Sequence, residues 1–562
     1  MPVLKTILAD WRLHWFLLLL PVALFLPALP IDETRYLAVA WEMRLHGDFL
    51  LLHLNGAPYS DKGPLLFWLI NLAWSFAGLQ VWIVRLGILF ASLTSLLLFE
   101  RLALRLAAAG NAPEGTDAHR ESVAFALRAT LLLAGILYFA LFSSAIMFDI
   151  VLMSCVLLAL HGILDLDAQR WTRGAAIFAL GLGLGLLTKG PVVLLDASIV
   201  GLLGPLWSHT AREQKLRWFA FLLAGVLGSI LIGLIYMLAA GGWSYVNAVV
   251  FHQTAARMTK SFAHARPVWW YLPALPLMIL PWSVSLRASW RAWRDGLISG
   301  KAARFGVALF VPGFVVFSCL SGKQPHYLLP LMPGLALYLA HVTGAASARV
   351  RGRAFGALLL IVGLALSALP FVASHIDAWP SLRTQISEDN LPAVQVLSGI
   401  WPLWGGLIAL LGAFFLAHPR AHKQLRALAL GSTAAATLCT LMIAQSVGPT
   451  IDVSATAARI KAAQDAGKPI AHLAWHHGLF EFAGRLTQPL EKVNFADLYT
   501  WCAAHPDGEI VSFYTKYPIA AKPEVEIPYR LGRILIWRAA DLCAAPHAAP
   551  PLKPDDDDST ED

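Results

Sequence analysis

Apolar residues in this chain gather in long runs, not at the alternating or three-to-four spacing of a soluble fold. The runs fall at about 13–30, 81–100, 123–142, 147–164, 174–188, 190–207, 218–240, 268–286, 304–320, 326–346, 354–374, 393–417 and 425–447. Wound as a helix at 1.5 Å per residue, about 17–25 residues cross a hydrocarbon core of roughly 30 Å. The pattern predicts a polytopic α-helical membrane protein with about 13 transmembrane helices.

One more apolar stretch, 64–80, follows "YSDKGP" at Tyr59–Pro64, and its placement is decided by charge. Lys and Arg concentrate in cytoplasmic loops. If 64–80 lies along or dips into the outer interface, six basic clusters fall inside together: Arg101/Arg105/Arg120, Arg170/Arg173, Arg212/Lys215/Arg217, Arg287/Arg291/Arg294/Lys301/Arg304, Arg349/Arg351/Arg353 and Arg420/Lys423/Arg426. If it crossed, Arg101, Arg105, Arg120 and Arg128 would fall outside. The expectation is therefore an interfacial segment at 64–80 and an odd number of crossings. The segments 31–63, 143–148, 241–267, 321–325, 375–392 and the C-terminal region then share the outer face. The first run, "HWFLLLLPVALFLPALP", stands behind Lys5 and Arg12 and ends in no small-x-small cleavage site, so it reads as an uncleaved first helix.

After residue 447 the pattern changes. "VSATAARIKAAQDAGKP" has helical periodicity, while "PIAHLAW", "EIVSFYT" and "RILIWRA" read as short strands. This divides the chain into a membrane domain, 1–447, with outer loops 31–80 and 241–267, a small α/β domain on the outer face, 448–550, and a disordered acidic tail, 551–562. Composition agrees with the membrane reading: of 562 residues 57% are hydrophobic and only 14% charged, with mean hydropathy +0.62. The net charge of +8 sits mostly in short loops between apolar runs, which fits membrane orientation and excludes a nucleic-acid groove. Cys155, Cys319 and Cys439 read as packed hydrophobes, while Cys502 and Cys543 lie in a segment where an oxidising compartment would permit a disulfide.

Charged residues on the outer face carry the chemistry. "IDETRYLAVAWEMRLHGDF" opens with Asp32 and Glu33, and Tyr36, Val39, Ala40 and Met43 then recur at helical spacing, predicting an amphipathic interfacial helix that Asp32 could simply cap. Asp149 is the only charged residue between Arg128 and His161. A charge at the bilayer centre costs about 2.5–3.5 kcal/mol, less near the surface, so its presence favours a functional role. Lys62, Lys189 in "LLTKGPVVLL", and Lys323 with His326 and Tyr327 in "SGKQPHYLLPLMPG" stand on the same face. So does the basic loop holding His252, Arg257, Lys260, His264 and Arg266. Cations on an outer face suit a lipid-linked phosphate, and carboxylates suit deprotonation of an acceptor as that phosphate leaves. Asp61 with His252 offers candidate ligands for a divalent cation, without compact ligand spacing; no cofactor is required.

Taken in order, "DETRY", "YSDKGPLLFW", "LTKGP", "WWYLP" and "KQPHYLLPLMP" resemble the bacterial GT-C glycosyltransferases related to the aminoarabinose lipid A transferase and, more distantly, the protein O-mannosyltransferases. The resemblance covers roughly residues 10–345. It implies an inverting transfer from an undecaprenyl-phosphate sugar to a lipid or glycan acceptor such as lipid A, on the periplasmic face of the inner membrane, under a roof formed by a periplasmic domain. By the matching motifs it implies Asp32 as the catalytic acid/base and Asp149 as a second essential acid. Lys62, Lys189, Arg257 and Tyr327 would hold the carrier phosphate, with Tyr36, Tyr59 and His252 lining the cavity. The chain departs from the family at Gly63, where a proline is frequent, which predicts a more flexible loop. The C-terminal domain carries no matching motif. The rival readings are a flippase or transporter of a lipid-linked sugar and a protein O-glycosyltransferase; against a transporter, the charges gather at one face and not at the midplane.

Overall fold

The computed structural model describes residues 10–107, 116–253, 265–298, 300–345, 348–384, 386, 391–418, 424–474, 477–513, 519, 521–530 and 532–545. The elements that build the site are α1 (Trp11–Phe25), α2 (Asp32–His46), α3 (Leu65–Ala77), α4 (Val81–Leu106), α5 (Phe148–Asp167), α6 (Trp171–Lys189), α7 (Lys301–Cys319) and α8 (Met332–Gly344). Among the described residues, eight helices are long and apolar enough to cross a membrane. Every apolar run has a helical counterpart, but several are broken. Run 123–142 divides into Asp117–Ala134 and Leu137–Phe142, and run 268–286 becomes Val268–Trp270, Tyr271–Met278 and Trp282–Ser285, with Pro276 and Pro281 removing backbone donors. Run 190–207 divides into Val192–Leu202, 11 residues or about 16 Å and too short to cross alone, and a single turn at Gly204–Trp207. At 13 residues, α3 reaches about 20 Å and is likewise short of a bilayer core.

The pair α5 and α6 is the clearest architectural unit. The helices have 20 and 19 residues, and residues 168–170 join them as an antiparallel hairpin. Gly162 lets them approach: a Cβ there would lie 2.4 Å from Phe178 N. Asp149 starts α5 and Lys189 ends α6, so matched lengths return the two side chains to one end. At the other end Asp165 binds Arg105 at 2.5 Å and Arg173 at 3.2 Å, and Asp167 pairs with Lys301. Sixteen residues of helix separate Asp149 from Asp165, about 24 Å.

The expected amphipathic interfacial helix at 32–46 is corrected by the structure. In α2 ten residues, from Glu33 to Ala40 together with Glu42 and Met43, are buried. The cover comes from α3 on one side and from a distant C-terminal unit on the other. Trp41 Nε1 donates to Leu486 O at 2.8 Å, and Trp74 stacks on Phe482 with centroids 4.9 Å apart. Asn55 donates to Leu490 O and accepts from Leu490 N, at 2.8 and 2.7 Å.

That unit holds a five-stranded sheet of β1 (Ile470–Leu473), β2 (Glu491–Val493), β3 (Glu509–Phe513), β4 (Val525–Tyr529) and β5 (Gly532–Arg538), in the order β2-β1-β3-β5-β4. β1 runs parallel to both neighbours, and β5 is antiparallel to β3 and β4. Alternation along the strands feeds two cores. Ile470, Val511 and Ile536 pack with helix Ser454–Asp465, while Ala471, Ile510 and Trp537 pack with Trp501 and Leu542. All five cysteines, including Cys502 and Cys543, are free thiols.

Glu481 lies buried where this unit meets α2, close enough to act on Glu42, whose carboxylate accepts the backbone N–H groups of Asn55 and Gly56. Burial pushes the Glu481 carboxyl up to about 7. A raised acid pKa contributes stability that is full below the ordinary value near 4.5 and lost as pH rises through about 7. The thermal midpoint of the wild type, set against Glu481→Gln, is therefore expected to fall between pH 5 and pH 8. A midpoint difference that does not move with pH contradicts this.

Candidate active site

Asp32, Tyr36, Lys62, Asp149, Lys189, His326 and Tyr327 line one polar cleft with Arg35, Met147, Phe148 and Gln324. Asp32, Asp149 and Lys189 arrive at helix termini, and Lys62 on a loop. Asp32 opens α2, and the i, i+3, i+4 spacing puts Arg35 and Tyr36 on the same face. Arg35 Nη2 donates to Asp32 Oδ1 at 2.7 Å and the Tyr36 hydroxyl donates to the same oxygen at 3.1 Å, so neither bond occupies Oδ2. Burial alone would raise the Asp32 carboxyl, but the Arg35 guanidinium and Tyr36 hydroxyl outweigh it and hold it below the usual carboxylate range. Position in the first turn of α2 acts in the same direction.

Opposite stands the pair returned by the α5–α6 hairpin. Lys189 Nζ donates to Asp149 Oδ1 at 2.8 Å and lies 4.7 Å from the centre of the Tyr327 ring. Asp149 is 1% exposed, and its Oδ2 has no hydrogen-bond partner among the described residues. His326 stands edge-on to Tyr327, with centroids 4.8 Å apart. Lys62 enters on the loop before α3. At Gly63 a Cβ would lie 2.2 Å from Leu187 O, so this loop packs hard against the last turn of α6. The expected flexibility gives way to a close approach that only glycine allows. Three cations, Arg35, Lys62 and Lys189, share this lining with two carboxylates, and cationic donors gathered in one cleft suit a phosphate.

Other expected site residues go elsewhere. Glu33 does not line the cleft: its carboxylate grips Arg85 with both oxygens and accepts from Leu29 N at 2.7 Å and Ile146 N at 2.8 Å. With its acceptor capacity committed, Glu33 is a structural anchor. Lys323 is buried with its ammonium on the carbonyls of Arg266, Leu320 and Ser321, and so closes a loop instead of meeting a ligand. Tyr59 is buried edge-on to Phe67, behind Tyr36, and Asp61 does not line the cleft. Arg257 and the side chain of His252 lie outside the described residues, as do Lys260 and His264. Among the described residues no three His, Cys, Asp or Glu side chains converge as a metal site. The sequence reading passed over Arg35 and Gln324, although Arg35 carried a signal in its i+3 spacing from Asp32.

Removing one partner of a buried pair costs about 3–5 kcal/mol. Glu33→Gln is expected to lower stability by an amount of that order, measured by denaturation in detergent, and to lower activity only through lost fold. A stable but inactive Glu33→Gln protein would return Glu33 to the chemistry.

No protein-family model matches the chain. It is 30% identical over 416 residues to an undecaprenyl phosphate-alpha-4-amino-4-deoxy-L-arabinose arabinosyl transferase of Pseudomonas paraeruginosa, covering 70% of this chain and 71% of the relative. To the transferase of the same name from Edwardsiella ictaluri it is 28% identical over 392 residues, 67% of each chain. Its structure matches that of ArnT from Cupriavidus metallidurans bound to undecaprenyl phosphate with a TM-score of 0.71 at 16% identity, covering 97% of this chain and 99% of the other, a likeness of fold.

Proposed function

The chain belongs to the family of undecaprenyl phosphate-alpha-4-amino-4-deoxy-L-arabinose arabinosyl transferases, and on that premise we propose that its cleft passes a sugar from an undecaprenyl phosphate carrier to an acceptor at the periplasmic face of the inner membrane. The protein is a multi-pass membrane glycosyltransferase of GT-C fold, dependent on a polyprenyl-phosphate-linked sugar. The aminoarabinose in the names of its relatives is the first donor sugar to test, with lipid A or another envelope glycan as acceptor. Outward placement of the cleft is supported by the basic residues Arg105, Arg173 and Lys301 at the opposite end of the bundle. The C-terminal unit, bonded to α2 beside the cleft, then stands in the periplasm.

One observation carries the mechanism: the Asp32 oxygen left out of the Arg35 and Tyr36 bonds shares a cleft with Lys62 and Lys189. The acceptor oxygen attacks the anomeric carbon, the bond from that carbon to the carrier phosphate breaks, and the acceptor's proton passes to Asp32 Oδ2. The charge released on the phosphate is held by Lys62, Lys189 and Arg35. Attack opposite the leaving phosphate inverts the anomeric centre. The lowered Asp32 pKa keeps this base ionised throughout the neutral range.

Asp32→Asn is expected to reduce sugar transfer by about 10²–10⁴-fold in a reconstituted assay read by mass spectrometry, with unchanged thermal stability and carrier binding. Retained transfer would remove Asp32 from its role. Lys62→Ala should instead raise the donor KM before it affects the fold; an unchanged KM would place the phosphate elsewhere.

A further inference from the structure

At the end of the bundle away from the cleft, the chain makes a small ribbon with an unfavourable register. Leu286–Arg287 pairs antiparallel with Arg349–Val350, and Arg287 stands directly across from Arg349. Like charges facing each other across an antiparallel pair destabilise it. The ribbon is nonetheless fastened on both sides. Arg351 N donates to Ser285 O at 2.9 Å, and the Tyr338 hydroxyl of α8 donates to Trp293 O at 2.7 Å, holding the following helix Trp290–Ile298 in place.

More charge of the same sign surrounds it. Arg287, Arg291, Arg294, Arg349, Arg351 and Arg353 are all exposed. Arg294 has Asp295 at 3.4 Å, but among the described residues no carboxylate pairs with the other five. The preference of basic residues for one side of a membrane explains their abundance here. It does not explain two arginines in register. Beside them Trp290 is 78% exposed, and an indole at the surface of a membrane domain belongs at headgroup depth. From this surface α7 rises 19 residues, about 28 Å, toward the cleft, so the two sites lie at opposite membrane faces.

We propose that this surface seats the phosphate of an anionic glycerophospholipid, bridged by Arg287 and Arg349, with Trp290 beside it in the headgroup layer. The bound phosphate converts a repulsive register into a shared contact, because each guanidinium gains a charge-assisted bond to the same anion. Adjacent arginines draw the lipid in from an anionic leaflet.

The test uses the full chain in nanodiscs of phosphatidylcholine, with and without phosphatidylglycerol, comparing the wild type with Arg287→Gln/Arg349→Gln. In phosphatidylcholine alone the variant is expected to unfold at or above the wild-type temperature, since its repulsion is gone. Phosphatidylglycerol should then raise the wild-type midpoint and leave the variant's unchanged. Native mass spectrometry should show phosphatidylglycerol held about thirtyfold more weakly by the variant. Arg212→Gln/Lys215→Gln, which removes equal charge from another loop, should behave as wild type. An equal response of wild type and variant, or an equal loss in the Arg212/Lys215 control, overturns the proposal. Protection of the wild type by inorganic phosphate to the same extent assigns the site to a free anion and overturns the lipid.

Discussion

The buried pair of Glu33 and Arg85 sets the geometry on which the cleft depends. Arg85 is fully buried, and besides Glu33 it donates to Leu26 O, Pro27 O and Ser144 O at 3.0, 2.6 and 3.1 Å. Taking two charges out of water costs several kcal/mol per ion, repaid only when the remaining hydrogen-bonding capacity is met. Here it is met by the backbone of two other segments. The exit of α1, the start of α2 and the turn before α5 are thereby tied to one point on α4. Asp32 is the neighbour of Glu33 and Asp149 follows Ile146 by three residues, so both cleft carboxylates inherit their positions from this pair.

The cleft is also an arrangement of helix ends. Asp32 and Asp149 stand in first turns and Lys189 in a last turn, each on the side that its helix dipole favours. Charges in such places are held without being carried through the apolar interior. The same economy operates at the far end of the α5–α6 hairpin, where Asp165 and Asp167 meet basic residues. The interior between the two ends is packed mainly with apolar side chains.

Much of this was legible in the sequence, because apolar run length and the side preference of Lys and Arg are local signals. Asp149 and Lys189 stood out as charges bounded by apolar sequence. Glu33 was misread because an acid next to Asp32 looks the same as Asp32; only its partner 52 residues away tells them apart. The burial of α2 was hidden for the same reason, since part of its cover lies beyond residue 477. Lys323 misled because loop carbonyls leave no mark in the sequence, and the short Val192–Leu202 helix sat inside a run whose composition continued past its end.

The contact between α2 and the C-terminal unit has a consequence for biosynthesis. Asn55 and Leu490 are 435 residues apart, yet they exchange two hydrogen bonds. At about 5–20 residues per second, the segment bearing Asp32 leaves the ribosome roughly 20–90 s before its cover exists. During that interval the face of α2 that the C-terminal unit covers has nothing to bury it, while α3 can already cover the other. The membrane helices can insert in order of synthesis, but the helix that carries Asp32 must wait for nearly the whole chain to be fully covered, so truncation near the C-terminus would act on a cleft encoded at the N-terminus.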